Sequence, residues 1–160
     1  MYPTKNDLPE TTRSKVIEVL SLRLADASDL FSQTKQAHWN VKGPSFIALH
    51  ELFDDVAEAV EDYTDMIAER IVQLGGIAEG TVRVAAQKSS LSEYPLNIGN
   101  GRDHVNALSS ALAAFGHQVR RAIDLTDQLG DKGTSDLFTE VSRGVDKWIW
   151  FVEAHNQAEK

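Results

Sequence analysis

Two pairs of side chains in this 160-residue chain are spaced for metal chemistry: His50 with Asp54, and Asp65 with Glu69, each at i, i+4. On a helix that spacing puts both members of a pair on adjacent turns of one face. Imidazole and carboxylate together suit a borderline to hard divalent cation such as Fe²⁺, and the same donors suit others such as zinc. A polar pair at this spacing is also what an ordinary solvated helix face presents, so the surroundings must decide. At about 100° per residue the four side chains cluster in one direction, roughly opposite the apolar stripe of their own segment. Their face points away from the core. Ile47, Ala57, Ala68 and Val72 are interleaved with them. A purely solvated face tends to avoid such residues, so the pattern predicts an interface.

Spacing then says what kind of interface. Asp54 and Asp65 stand eleven residues apart, about 16 Å along a helix axis, whereas metal–oxygen bonds are about 2 Å long. One helix cannot close a site with both pairs. When two copies of a helix pack antiparallel about a two-fold axis, positions meet wherever their residue numbers sum to one constant. His50 with Glu69, Asp54 with Asp65 and Ile47 with Val72 share that constant. A symmetric dimer therefore builds two identical sites, each with His50 and Asp54 from one subunit and Asp65 and Glu69 from its mate. His38 has two readings. It continues the stripe Leu24, Ala27, Phe31 and Thr34, so it either completes the first half-site or sits in the core with a hydrogen-bond partner.

Four amphipathic stripes must position these groups. The first runs through Val16, Leu20, Leu24, Ala27 and Phe31; the second through Leu49, Phe53, Val56, Val60, Tyr63, Ile67, Ile71 and Leu74, stopping at Gly75 and Gly76. The third carries Val105, Leu108, Leu112, Phe115, Val119 and Leu129 and ends near Gly130, and the fourth carries Leu137, Val141, Val145, Trp148 and Val152. The expected fold is all-α, a four-helix bundle. Pro44 and a capping Ser45 join the first two helices closely as antiparallel neighbours. The connection from Gly75 to Gly101 is long, as a crossover between helix pairs in ferritin-like bundles requires. Residues 1–14 are polar and read as a loose tail, and residues 15–157 as one domain.

Composition narrows the chemistry. The formal charge of −8, from 16 basic and 24 acidic residues, argues against a body that grips nucleic acid and suits cation binding. No cysteine is present, so any metal must use N and O ligands. There is no run of about 18 apolar residues, and a soluble, cytoplasmic protein with no membrane association is expected.

At this point the residues resemble a family. Ala37-His38-Trp39-Asn40, Gly43, Phe46-Ile47-Ala48, His50-Glu51 and Asp54 are similar to the first signature of the Dps miniferritins, the DNA-binding proteins from starved cells. Asp65, Met66, Ala68-Glu69-Arg70 and Val72-Gln73-Leu74-Gly75-Gly76 are similar to the second. Tyr94-Pro95, Ser142-Arg143, Asp146-Lys147 and Trp150-Phe151 extend the likeness over residues 12 to 155.

The resemblance implies a di-iron ferroxidase centre with His38, His50 and Asp54 from one subunit and Asp65 and Glu69 from its mate. It also implies two-fold dimers assembled into a hollow dodecameric cage. Such a cage oxidises Fe²⁺ preferentially with hydrogen peroxide, stores ferric iron and protects against oxidative damage. Trp39 is either a sink for stray oxidising equivalents or an interface aromatic. Acidic residues near the start of the fourth helix line pores in the family, which points to Asp136, with Asp131 and Glu140 behind it. The other reading of each is a helix N-terminal acid. His104, His117 and His155 lack partners at ligand spacing and read as ordinary. One departure concerns DNA. Lys5, Arg13 and Lys15 in Met1 to Lys15 are offset by Asp7 and Glu10, so DNA binding is expected to be weak. Two alternatives compete: a nucleoid-associated structural protein whose metal site is incidental, disfavoured by the charge, and a monomeric or dimeric di-iron oxidase, which would place its carboxylates in the bundle core.

Overall fold

The computed structural model describes residues 1–157. Five helices follow in order: α1 (Glu10–Asn40), α2 (Phe46–Gln73), α3 (Val82–Lys88), α4 (Gly101–Gln128) and α5 (Lys132–Gln157). The four long ones form the bundle, with α1 packed on α2 and α4 on α5 as hairpins, and the hairpins joined through α1 against α4 and α2 against α5. Short α3 lies within the crossover and packs on α1. Among the described residues the only extended pairing is an isolated bridge between Lys42 and Asn100.

The apolar stripes meet as expected. Leu20, Leu24, Phe53, Ile67, Ile71, Leu108, Phe115 and Phe138 are fully buried, each such side chain contributing about 1.5–3 kcal/mol. Ala57 departs from the expected outward face: it is buried in the subunit's own core region, whereas Ile47 and Val72 are 60% and 59% exposed.

Glycine ends α2 and α4. Gly75 has φ +88°, its N–H bonds to the Val72 carbonyl, and the Gly76 N–H reaches back to Ile71, each at 2.9 Å. That pair of bonds is a Schellman stop, which needs the left-handed conformation glycine adopts without strain. Gly130 repeats it at the end of α4 with φ +86°. The next residue, Asp131, bonds through its N–H to the Thr126 carbonyl at 3.0 Å. Its carboxylate then accepts from the Thr134 N–H at 3.0 Å and so caps α5.

The first helix begins at Glu10, so residues 10–14 of the expected tail are helical. Before it, the Tyr2 N–H bonds to the Gly75 carbonyl at 2.8 Å, and Arg13 donates to the carbonyls of Leu74 at 2.9 Å and Leu8 at 3.1 Å. The N-terminal segment therefore lies across the end of α2.

Polar side chains on α1 fasten the crossover. Asp26, fully buried, accepts from Arg23 at 2.8 Å and from the Ser90 N–H at 2.7 Å. Asp29 accepts from the Ser89 hydroxyl at 2.6 Å, and Gln33 donates to the Ser92 carbonyl at 3.0 Å.

Candidate metal centre

His38 and His50 face each other across the α1–α2 hairpin. The His38 Nδ1–H donates to the His50 carbonyl at 2.7 Å, and the His50 Nδ1–H donates to the His38 carbonyl at 2.9 Å. The rings stack with centroids 3.8 Å apart. The local reason lies in the end of α1: the last carbonyls of a helix lack intrahelical partners, and His50 satisfies the one at His38. A carbonyl can only accept, so both Nδ1 atoms carry hydrogen, and the two Nε2 atoms are the ring positions that these bonds leave free. A ring N–H held by a backbone carbonyl in this way orients a metal-ligating histidine. His38 is buried and has the partner that its core reading required, yet it stands beside the other histidine of the half-site.

Asp54 approaches the pair, with its carboxylate 3.9 Å from His38 Nδ1. Its nearest partner is Lys35, whose ammonium donates to it at 2.6 Å. The Lys35 ammonium holds the Asp54 carboxyl below the usual carboxylate range, with smaller help from the adjacent imidazoles. Sequence reasoning missed Lys35. A lysine three residues before His38 looks like any solvated helix charge, and its partner lies on another helix. Its ammonium also stands 6.0 Å from the centroid of Trp39, which is 66% exposed.

Asp65 and Glu69 lie farther along α2, both exposed. Among the described residues of one chain, no group of three or more His, Asp or Glu side chains is placed to hold a metal ion. His38 and His50 stack near one end of α2 with Asp54 beside His38, short of a metal-holding set, and Asp65 and Glu69 lie apart from them.

Beside Glu69, Arg70 reaches into the α4–α5 corner. It contacts both Asp131 carboxylate oxygens at 2.9 and 3.1 Å and donates to the Thr134 hydroxyl at 2.9 Å. Asp131 is 2% exposed. Its carboxylate is engaged by Arg70 and Thr134, as the reading of it as a helix N-terminal acid expects. Asp136 and Glu140 are exposed on α5.

A bundle of four long helices with a crossover, carrying a histidine from each helix of the α1–α2 hairpin and carboxylates along α2, defines a ferritin-like protein. The family model described as a ferritin-like domain matches residues 17–160. The DNA protection during starvation protein of Agrobacterium fabrum is 46% identical over 156 residues, 98% of this chain and 96% of that protein. A structure of Dps from Microbacterium arborescens, described as the high iron form, is 36% identical with a TM-score of 0.85, covering 95% of this chain and 97% of that one. The Dps protein from Vibrio cholerae, described as a member of a broad superfamily of ferritin-like diiron-carboxylate proteins, is 25% identical with a TM-score of 0.90 over 98% of both chains. The chain belongs to the Dps family of ferritin-like proteins.

Proposed function

We propose that two copies of the chain pack their α2 helices antiparallel and form two di-iron sites that oxidise Fe²⁺. Each site takes His38, His50 and Asp54 from one subunit and Asp65 and Glu69 from the other. Such dimers build a hollow dodecameric cage that stores the ferric product. The observation that carries this reading is the reciprocal His38–His50 clasp, which sets two imidazoles, one from each helix of the α1–α2 hairpin, beside the Asp54 carboxylate. The diiron-carboxylate description of the Vibrio cholerae relative supports it.

Carboxylates favour Fe³⁺ over Fe²⁺ because the added positive charge meets fixed negative ligands. Two Fe²⁺ substrates held together each give one electron to one peroxide: two Fe²⁺, one H₂O₂ and two protons yield two Fe³⁺ and two waters. Pairing the electrons avoids releasing hydroxyl radical, and this protects against oxidative damage. Trp39, beside His38, intercepts equivalents that escape pairing. Asp136 and Glu140 are the candidate lining of the iron entry path.

Protection of DNA, the role in the Agrobacterium relative's name, follows here from removing iron and peroxide rather than from gripping the duplex. The tail supplies little free positive charge, because Arg13 is buried against the Leu8 and Leu74 carbonyls. A cytoplasmic location suits this role, and among the described residues no helix is long and apolar enough to cross a membrane.

The test is ferric absorbance after mixing anaerobic Fe²⁺-loaded protein with peroxide or with O₂. Faster oxidation with peroxide is expected. Equal rates, or a negligible rate with peroxide, would overturn the reading.

A further inference from the structure

His104 carries more than its spacing suggested. It lies on the first turn of α4 and is 1% exposed. Its Nδ1 is 2.8 Å from the Tyr94 hydroxyl, which reaches down from the crossover. Its Nε2 is buried, with the Ile98 carbonyl near the ring but without a well-formed hydrogen bond to it.

This pair sits where α4 meets the α1–α2 corner. Asn100 caps α4, its side chain accepting from the Asp103 N–H at 2.9 Å. The adjacent Gly99 carbonyl accepts from the Lys42 N–H at 2.8 Å. Gly101, the first residue of α4, packs so closely on Leu49 that an added Cβ would lie 2.6 Å from Leu49 Cδ1. Lys42 is four residues beyond His38, and Leu49 is next to His50. The crossover, held down by Tyr94 on His104, is thus the backing of the corner from which both histidines project.

We propose that Tyr94 and His104 form an acid-released clasp that positions the corner carrying the histidine half-site. The inference rests on reading His38 and His50 as iron ligands. In its neutral form the imidazole fits beneath the crossover and exchanges one hydrogen bond with the phenol. Protonation would put a charge in a buried pocket where the Ile98 carbonyl lies near the ring without good hydrogen-bond geometry, and at a helix N-terminus, where the dipole opposes a cation. Four groups face it: Asp103 from its own turn and the Ile98 carbonyl, which favour the charge, Lys42 from the corner, which opposes it, and the Tyr94 phenol, which burial keeps neutral. Burial prevails and holds the His104 imidazole below its ordinary range.

The direction of the pH effect follows. The unfolded or opened segment binds a proton near pH 6.5, and the closed one does not until lower pH. The clasp is therefore fully closed above about 6.5 and loses stability as pH falls below it, by up to about tenfold in the opening constant per pH unit.

Amide hydrogen exchange on the assembled, metal-free protein between about pH 7.5 and 5 tests this. Protection factors at Lys42 and across residues 96 to 104 should fall by up to about tenfold per unit below pH 6.5. His104→Gln should abolish that slope. Tyr94→Phe should lower protection at every pH and keep the slope, because the imidazole remains. A flat wild-type profile, or an unchanged slope in His104→Gln, would overturn the proposal. If His104→Gln does not fold, imidazole NMR of the wild type decides: His104 must remain neutral below pH 6.5 and titrate where protection is lost, and titration at or above 6.5 refutes the clasp. No iron enters these measurements, so their result is separable from that of the ferroxidase assay.

Discussion

Lys35 and Asp54 are joined by a 2.6 Å ion pair across the α1–α2 hairpin, through one oxygen of the carboxylate assigned to the proposed half-site. A metal ion bound there would compete with the ammonium. Asp54 is half exposed, and exposed pairs are worth about 0.2–1 kcal/mol. Lys35→Met should therefore tighten Co²⁺ binding by up to about fivefold, read by titration calorimetry at fixed pH. Weaker binding would mean that Lys35 supports the site instead of competing for it.

Two double variants test the sharing of sites: His50→Ala with Asp54→Ala, and Asp65→Ala with Glu69→Ala. Each alone should be inactive. Unfolded and reassembled together in equal amounts, about half the dimers are mixed and each of those carries one intact site. About a quarter of the wild-type ferroxidase activity should return. A verified mixed assembly with no activity above either parent excludes the antiparallel register.

Arg70→Met leaves the Asp131 carboxylate buried beside α5 without its countercharge. Removing one partner of such a pair costs about 3–5 kcal/mol, and the urea midpoint should fall accordingly. Adding Asp131→Asn should recover much of the loss, because the buried charge goes and a capping oxygen remains. Strictly additive losses would show that the ion pair does not tie α2 to the α4–α5 corner.

Gly75→Ala meets two obstacles: the left-handed backbone, worth about 1–2 kcal/mol, and the Tyr2 carbonyl 2.7 Å from the new Cβ. Gly43→Ala meets only the first, since Gly43 has φ +116° with open space around it. The Gly75 variant should lose more stability than the Gly43 variant and expose residues 2–8 to faster proteolysis. Equal effects would show that the N-terminal segment gains nothing from docking.

The bundle was legible because periodicity and glycine stops are local: Gly75 and Gly130 end their helices where the stripes end, each with the left-handed backbone a stop requires. Short α3 left no such trace, since Ala85 is its one buried residue and Val82 is 86% exposed. The histidine pair was half legible. Spacing proposed His50 with Asp54, but only the folded hairpin shows His38 and His50 exchanging hydrogen bonds. Lys35, Arg70 and His104 were hidden for one physical reason. Each is defined by a partner on a different segment, 61 residues away in the case of Arg70 with Asp131, and charge spacing along one helix carries no record of it.

The tie between Asp26 and Ser90 sets an order of events during synthesis. Asp26 is fully buried in the finished protein, and its bonds to Ser90 span 64 residues. A nascent chain that has delivered only α1 and α2 has no Ser90 to offer, so that flank of α1 stays hydrated. Burial of that flank is therefore complete only once the crossover has been added to the first hairpin.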